Sequence, residues 1–461
     1  MTQSEQHVVI IGGGPGGCAA ALAARKVGLQ VTLVERDQLG GTCLNRGCIP
    51  TKTILSSARV MQDIRRAQQF AITASDKGAL DGCSIDLPAL RMRKSHIVDT
   101  LRVQLEAQCK RAHVHVVAGD ASIADDFSIR IERGEENGSD AEHIMPDALI
   151  IASGSVPHKL PFLDFDRSRI WTSDEALALD EIPDELVVMG GGVIGVELAT
   201  AYAIFGSRVT IVELAHQILP YSDVRTARTV ARALKDLGIV IHTKTGVTEA
   251  LQNGERVSVT LSDESTIETD ILLCAVGRSP VVPHGFESGK RMPYPVEIIG
   301  DAAGGIMLAH AAEAEGEDAI RRIAAALQKK SVDQIDERVL DISAIPACVY
   351  THPEVASIGI TADEAKSRGI DAVSGIAKFT GNGMACAENE TDGFVSLVVQ
   401  RPSGSILGAQ IVGPHAVELI AQVTLAMKSD ISVFVLTDTV FAHPTVSETI
   451  KSAALIAREA L

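Results

Sequence analysis

Nowhere in this 461-residue chain does an apolar run reach the roughly 18 to 20 residues that a membrane span needs, because glycine or charge interrupts each one. A bilayer-spanning helix is excluded from the expected architecture, although 46% of the residues are hydrophobic. A signal peptide is lacking as well. Met1 to His7 is polar and leads straight into Val8 to Ile11, without charged, apolar and small-residue regions in succession, so a cytoplasmic setting is expected. Positive charge is in short supply: 42 Lys and Arg face 59 Asp and Glu, for a net charge of −17. Such a field repels polyanions, which removes nucleic acid and anionic membrane surfaces from the expected partners. The eight cysteines, at 18, 43, 48, 83, 109, 274, 348 and 386, show no small-domain spacing and no Cys/His set at zinc-finger intervals, so no metal site is expected. Most read as buried, inert thiols. Cys43 and Cys48 are the one tightly spaced pair, and in a reducing compartment a persisting disulfide is usually catalytic.

The length exceeds what one core usually supports, and two to four domains are expected. Along the chain the first pattern is an apolar strand, Val8 to Ile11, then Gly12-Gly13-Gly14-Pro15-Gly16-Gly17, then an Ala-rich helix to Val27. A second strand, Gln30 to Val34, ends at Glu35, 18 residues after Gly17. The same arrangement returns 178 residues later: Leu186 to Met189, Gly190-Gly191-Gly192-Val193-Ile194-Gly195, a helix to Phe205, and Arg208 to Val212 ending at Glu213, again 18 residues after the last motif glycine. A whole supersecondary unit is repeated, and two dinucleotide sites are implied. Pro157 to Pro161 and the loop around Pro183 suggest a crossing between the units, and Ser279 to Pro295 breaks the pattern again. Boundaries are expected near 150, 272 and 340. The last 120 or so residues, with strands such as Phe394 to Val399 and helical stretches such as Val417 to Met427, read as a separate α+β unit.

Each Gly-rich turn has a physical logic. The first glycine (Gly12, Gly190) permits the tight bend, the second (Gly14, Gly192) lets backbone amides approach a pyrophosphate, and the third (Gly17, Gly195) packs helix on strand. The helix N-terminus then faces the negative charge, with Pro15 at its start. Carboxylates at the ends of the second strands, Glu35 and Glu213, accept hydrogen bonds from ribose hydroxyls. Glu213 repels a 2′-phosphate, and Leu214 to Pro220 carries no Arg or Lys to pair with one, so NAD is favoured over NADP.

In Gly40-Gly41-Thr42-Cys43-Leu44-Asn45-Arg46-Gly47-Cys48-Ile49-Pro50-Thr51-Lys52 the two cysteines lie five apart and Lys52 four beyond the second. A helix start near Cys48 accords with Pro50 in its first turn. A thiolate at a helix N-terminus near a cation has a lowered pKa and exchanges disulfides at neutral pH. Two buried thiols, or a metal site, are the alternatives; no further His or Cys stands nearby in sequence to complete a metal set.

Together with Gly12 to Gly17 and Gly190 to Gly195, these residues resemble the pyridine nucleotide-disulfide oxidoreductases, and among them the dihydrolipoamide dehydrogenases. The likeness extends over nearly the whole chain. It includes Ala152-Ser153-Gly154-Ser155, Gly277-Arg278, Gly300-Asp301-Ala302-Ala303-Gly304-Gly305-Ile306-Met307-Leu308-Ala309-His310, Thr351-His352-Pro353-Glu354-Val355-Ala356, and His443-Pro444-Thr445-Val446-Ser447-Glu448. The resemblance implies an α/β chain with two Rossmann-like domains, for FAD over 1–150 and NAD over 151–272. A central FAD-completing segment (273–340) and a C-terminal α+β dimerisation domain (341–461) follow. It puts Gly12, Gly14, Pro15, Gly17, Glu35, Arg36, Gly41, Thr42, Lys52, Ala121, Ser153, Gly154, Asp301, Met307, Leu308, Ala309 and His310 at FAD. It puts Gly190, Gly192, Gly195, Glu197, Glu213 and Gly277 at NAD.

By the same resemblance Cys43 and Cys48 form the redox-active disulfide, with Cys48 against the flavin and Cys43 the exposed sulfur that exchanges with substrate. Lys52 pairs with Glu197 and stabilises negative charge on the flavin. His443 is the general base, since imidazole titrates near working pH, and Glu448 orients it. The base reaches the cysteines of the other subunit, so a homodimer is expected. The implied reaction oxidises dihydrolipoamide with reduction of NAD. No lipoyl-attachment domain is expected before Val8, which puts the lipoyl group on a carrier protein. The alternatives are an NAD(P)H-dependent reductase of another disulfide or a metal ion, and a flavin electron-transfer subunit of a larger complex. Mercuric reductases commonly add a C-terminal cysteine pair, which Ile456 to Leu461 lacks, and glutathione reductases usually favour NADPH, against Glu213. His310 and His352 have weaker claims to chemistry. Three departures from the family pattern stand out: the chain is shorter between Arg278 and Asp301, Met384 stands where relatives commonly have arginine, and Phe441 replaces a frequent histidine.

Overall fold

The computed structural model describes residues 6–73, 82–133, 141–163, 165, 168–328 and 340–461. The chain forms two compact units. The first takes in residues up to Ile54, Asp86–His158 and Gly277–Leu340; the second takes in Leu55–Ile85, Lys159–Val276 and Asp341–Leu461.

In the first unit the apolar run becomes the strand His7–Ile11, at the centre of a five-stranded parallel sheet. The order across it is Val296–Ile298, Ala148–Ile151, His7–Ile11, Gln30–Glu35, His115–Ala118. Both faces are covered, which is why these strands are continuously apolar rather than alternating. Ile10 and Leu33 share one core with Cys18, Cys109 and Ile320, while Val9, Ile129, Leu149 and Ile151 share another. Each fully buried Val, Leu or Ile contributes about 1.5–3 kcal/mol. The helices Pro15–Lys26 and Ala309–Leu327 pack closely enough that a Cβ on Gly316 would stand 2.4 Å from the Gly16 carbonyl oxygen. The Pro- and Gly-rich stretch after Arg278–Pro280 contains only turns until Val296–Ile298, which returns to the sheet beside Ala148–Ile151.

The second unit contains the repeat. Its parallel sheet runs Val240–Thr243, Arg208–Glu213, Glu185–Met189, Ile271–Cys274, Ile170–Trp171. Strand registers correspond under the 178-residue offset: His7 pairs Gln30 and Ile11 pairs Val34, while Glu185 pairs Arg208 and Met189 pairs Val212. The same unit holds an antiparallel sheet ordered Ala347–Val349, Glu354–Gly359, Ile406–Gly413, Phe394–Gln400, Ala372–Lys378. The helices Ala416–Lys428 and Glu448–Glu459 bury Leu419, Ile420, Val423, Ile450 and Ala453 against it. Among the described residues no helix is long and apolar enough to cross a membrane.

Candidate active site

The turn after His7–Ile11 is built on glycine geometry. Gly12 has φ +106°, and a Cβ on Gly17 would lie 1.9 Å from the Gly12 carbonyl oxygen. Gly14 heads the helix Pro15–Lys26, and no side chain caps it. The Gly13 N–H donates to Glu35 Oε2 (2.6 Å) and the Asp37 N–H to Glu35 Oε1 (2.9 Å), which ties the second strand's carboxylate to the turn. The second copy reproduces this. Gly190 has φ +106°, a Cβ on Gly195 would be 2.0 Å from the Gly190 oxygen, and Gly192 heads an uncapped helix, Val193–Phe205. The Gly191 and Ala215 N–H groups donate to Glu213 at 2.6 and 2.7 Å. Gly277, also at positive φ, accepts from the His158 N–H in the first unit (3.0 Å). Glu197 is 2% exposed on Val193–Phe205, and its Oε1 accepts from the Tyr350 N–H (2.9 Å).

A cleft of about 340 Å³ in the first unit is lined by Gly12, Glu35, Arg36, Ala121 and Ser153, with His284 on its wall. Five residues expected at a dinucleotide are thereby brought together. Asp301 sits in the short turn Gly300–Ala303, where its Oδ2 accepts from the Ser155 hydroxyl (2.5 Å). Arg278 Nε donates to that hydroxyl and Nη2 to the Ser155 carbonyl, both at 2.7 Å. Ser153 donates to the Val281 carbonyl (2.5 Å), Gly154 takes φ +76°, and Met307 and Leu308 lead into the helix Ala309–Leu327, which carries His310. Ser155, Arg278 and His284 were not expected as site residues; only Ser155 and Arg278 carried a sequence signal, lying within motifs already singled out.

Cys43 lies in a short helix, Gly41–Arg46, and Cys48 begins the helix Cys48–Arg65, which also carries Lys52. Asn45 holds the approach to Cys43: its Nδ2 donates to the carbonyls of Gln38, Leu39 and Gly41 at 3.3, 3.1 and 3.0 Å. Thr42 precedes Cys43, and a Cβ on Gly47 would stand 2.8 Å from the Thr42 oxygen. A Cβ on Gly41 would meet Gly14 Cα at 2.7 Å, so this segment lies directly on the Gly-rich turn. The two cysteines form a close pair of free thiols, Cys43 half-buried and Cys48 exposed. The Cys43 thiol is pushed above its ordinary value, first by the neighbouring Cys48 thiol and then by burial, with the Lys52 charge opposing. Of the other six cysteines, 18, 109 and 274 are buried, 83 and 348 half-buried and 386 exposed, so burial does not extend to all of them.

His443 and Glu448 form a pair in the second unit, with Nδ1 3.0 Å from Oε1 and 3.3 Å from Oε2. The Thr445 N–H donates to Glu448 Oε2 (2.9 Å). That hydrogen bond, then the one to His443, holds the Glu448 carboxyl below its usual range. The His443 side chain is 78% exposed in the single chain. His352 sits elsewhere, its Nε2 3.2 Å from both Arg66 Nη1 and Glu390 Oε2. Phe441 and Met384 pack, partly buried, on the core of the antiparallel sheet. Among the described residues no group of three or more His, Cys, Asp or Glu is arranged to hold a metal ion.

Comparison with known proteins matches residues 6–292 to the family "Pyridine nucleotide-disulphide oxidoreductase" and residues 345–454 to that family's dimerisation domain. Dihydrolipoyl dehydrogenase 2 of Haloarcula marismortui is 36% identical over 98% of this chain and 96% of its own. A dihydrolipoyl dehydrogenase of Bacillus subtilis is 35% identical over 98% of each. Among solved structures, LpdA of Mycobacterium tuberculosis superposes with a TM-score of 0.87 at 26% identity, over 98% of this chain and 99% of that one.

Proposed function

The chain belongs to the pyridine nucleotide-disulphide oxidoreductases, and from that membership we propose that it oxidises dihydrolipoamide, borne on a separate carrier protein, to lipoamide. It is an enzyme of the flavoprotein disulfide oxidoreductase type, using FAD and NAD. The observation that carries the reading is the close pair Cys43 and Cys48, in a segment that lies on the uncapped Gly12–Gly17 turn. The first unit fits FAD: side chains are excluded from the turn at Gly12 and Gly17, and Glu35, Arg36, Ala121 and Ser153 line the adjoining cleft. Gly14, Pro15, Gly41, Thr42, Gly154, Asp301 and the run from Met307 to His310 complete the set put forward for FAD. Gly190, Gly192, Gly195 and Glu213 hold NAD in the second unit, with Glu197 and Gly277 assigned to the same end of the path. When bound, FAD passes the electron pair from the cysteines to NAD.

The rest follows from the side chains. With the pair as a disulfide, one substrate thiolate attacks Cys43 Sγ, the Cys43–Cys48 bond breaks, and Cys48 leaves as a thiolate. The second substrate thiol gives its proton to His443 and attacks the substrate sulfur of the mixed disulfide, whose bond to Cys43 breaks so that Cys43 leaves as a thiolate. Lipoamide closes its own S–S bond, and two electrons remain on the cysteines. Attack on a disulfide needs the substrate thiol as its thiolate, which is what makes an external base necessary, and Glu448 keeps the His443 ring turned. Lys52 and Glu197 are assigned to stabilising negative charge at the flavin. Because His443 stands exposed on the single chain, and because residues 345–454 match a dimerisation domain, the base is put forward as serving the cysteines of a second subunit. A cytoplasmic setting belongs to the same proposal.

The test is NAD reduction by free dihydrolipoamide, with flavin content measured on the same sample. Turnover supports the path; an FAD-loaded protein without turnover rejects free dihydrolipoamide as substrate. His443→Ala keeps its FAD and loses about 10²–10⁴-fold in dithiol oxidation, the usual worth of a general base. Near-normal turnover in that variant rejects the role.

A further inference from the structure

His443, the proposed base, is held by a chain of contacts that begins far from it in sequence. Thr445, two residues beyond it, has all three of its polar groups engaged. Its N–H donates to Glu448 Oε2 (2.9 Å), its hydroxyl donates to the Ala442 carbonyl (2.8 Å), and its carbonyl accepts from Asn382 Nδ2 (2.9 Å). The first two contacts stay within the segment that carries His443; the third comes from 63 residues away. Asn382 is 7% exposed and caps the short helix Gly383–Ala387, which carries Met384: its Oδ1 accepts the Ala385 N–H at 2.9 Å. A backbone N–H only donates and a carbonyl only accepts, so these two neighbours admit one orientation of the amide, oxygen on Ala385 and nitrogen on Thr445. The backbone of Asn382 is fixed as well, its N–H on the Phe379 carbonyl (2.9 Å) and its carbonyl on the Cys386 N–H (3.0 Å). Phe379, Ala385 and Val446 share one buried core. Lys451 Nζ donates to the Thr439 carbonyl (2.5 Å) and Gln422 Nε2 to the Ser447 hydroxyl (3.0 Å), but in exposed surroundings, where water competes for the same groups. Removing the buried amide donor therefore costs the segment more than removing either surface contact.

We propose that Asn382 is a positioning residue for dithiol oxidation: through Thr445 and then Glu448 it holds the His443 ring in the orientation that accepts the substrate proton. The inference rests on the assignment of His443 as the base. The links run from Asn382 Nδ2 to the Thr445 carbonyl, from the Thr445 N–H to Glu448, and from Glu448 Oε1 to His443 Nδ1, 3.0 Å away. With Nδ1 held by the carboxylate, Nε2 is the ring nitrogen turned to the thiol. Asn382 acts by placement alone. Once the Thr445 carbonyl is freed the turn relaxes, the Thr445 N–H drifts from Glu448, and the ring loses its fixed direction. A misplacement of about 1 Å caused by a change away from the chemistry costs up to about 10²-fold in rate.

The experiment uses the full-length, FAD-loaded protein. Asn382→Ser keeps a hydroxyl to cap Gly383–Ala387 and removes the amide donor. The kcat for NAD reduction by dihydrolipoamide is expected to fall about tenfold. The KM for NAD is expected to stay at the parent value, and so is oxidation of NADH by ferricyanide, an electron acceptor that requires no proton from a thiol. Deuterium uptake into the peptide covering 442–448 is expected to rise, which reads the loosened turn without reference to turnover. An unchanged kcat overturns the proposal, and so does an equal fall in ferricyanide reduction or a fall in kcat without faster uptake. Asn382→Asp is the second variant, decisive where the serine substitution prevents FAD loading. Its carboxylate keeps the cap and cannot donate, whereas its protonated form can. Its rate relative to the parent is expected to be about a tenth at about pH 8 and to climb as pH falls through the raised range of a buried carboxyl. A ratio that stays flat with pH overturns the proposal. His443→Ala in the same assay separates the two ideas: near-normal turnover there rejects the base itself, whereas lost turnover there beside an unchanged Asn382→Ser rejects only the positioning role.

Discussion

At the scale of single residues, two histidines show opposite uses of their surroundings. His443 is exposed and held by Glu448, so its chemistry depends on orientation more than on burial. Glu448→Ala frees the ring and is expected to lower dithiol oxidation about 10- to 100-fold, less than loss of the base itself, with flavin retained. Steady-state rates at constant FAD content check it, and an unchanged rate removes Glu448 from the mechanism. The Glu448 carboxyl is held down by the Thr445 N–H and then by His443, so this pairing is lost only as pH falls through the depressed folded value. His7 is the contrary case. Burial first, then the neighbouring His115 charge, lowers it from 6.5 against the pull of Asp147, and its ring lies 2.9 Å from the Thr32 hydroxyl. Because the unfolded chain binds a proton that folded His7 refuses, stability falls as pH drops below about 6.5 and levels off below the folded value. His7→Gln is expected to flatten the decline in urea midpoint between about pH 7.5 and pH 5, near the ordinary histidine range. Parallel declines in the variant and the parent protein contradict it.

At the scale of elements, the strands and helices of both dinucleotide units emerge within a residue or two of the limits read from sequence. For example, Gln30 to Val34 is observed as Gln30–Glu35, and the helix to Phe205 as Val193–Phe205. The reason is local: Gly12, Gly14 and Gly17 impose geometry that few other residues adopt, and an apolar strand on either side fills both faces of a sheet. What stayed hidden depends on partners distant in sequence. The 25-residue helix Leu87–Arg111 buries only Leu90, Val98 and Cys109, too few to mark an apolar stripe. The return of Val296–Ile298 to the first sheet and the two three-stranded antiparallel sheets are likewise set by the fold rather than by neighbouring residues. The duplicated turns make a paired prediction. Gly17→Ala sets a methyl 1.9 Å from the Gly12 oxygen, and Gly195→Ala sets one 2.0 Å from the Gly190 oxygen. Such overpacking costs about 1–3 kcal/mol. The first variant is expected to lose FAD, while the second keeps FAD and raises the KM for NAD about tenfold or more, since 1.4 kcal/mol is a factor of ten. Equal effects on both cofactors contradict the division of labour.

At the scale of the whole molecule, the exposure of His443, the proposed base, predicts subunit complementation. His443→Ala and Cys43→Ser proteins, each inactive in dithiol oxidation, are co-refolded; in the mixed dimer one site combines intact cysteines with an intact histidine. Random mixing makes half the dimers mixed and half of their sites whole, so activity is expected to recover to about a quarter of the parent level. No recovery, with mixed dimers demonstrated by tagged subunits, places cysteines and base within one chain. The net charge of −17 adds that a carrier presenting basic residues associates faster at low salt than at high. The two turns have a consequence at this scale as well. Gly12 and Gly190 share a φ of +106°, and Glu35 and Glu213 each accept the N–H of the residue that follows that glycine, Gly13 and Gly191, at 2.6 Å. On the proposed assignment of FAD and NAD to these turns, two sockets of like geometry in one polypeptide accept the same half of two different molecules, so the adenosine diphosphate moiety common to FAD and NAD is a shared key. The cell's adenine nucleotide pool then becomes a competitor at both ends of the electron path, felt at the nicotinamide site in every turnover and at the flavin site only while the chain is first being loaded.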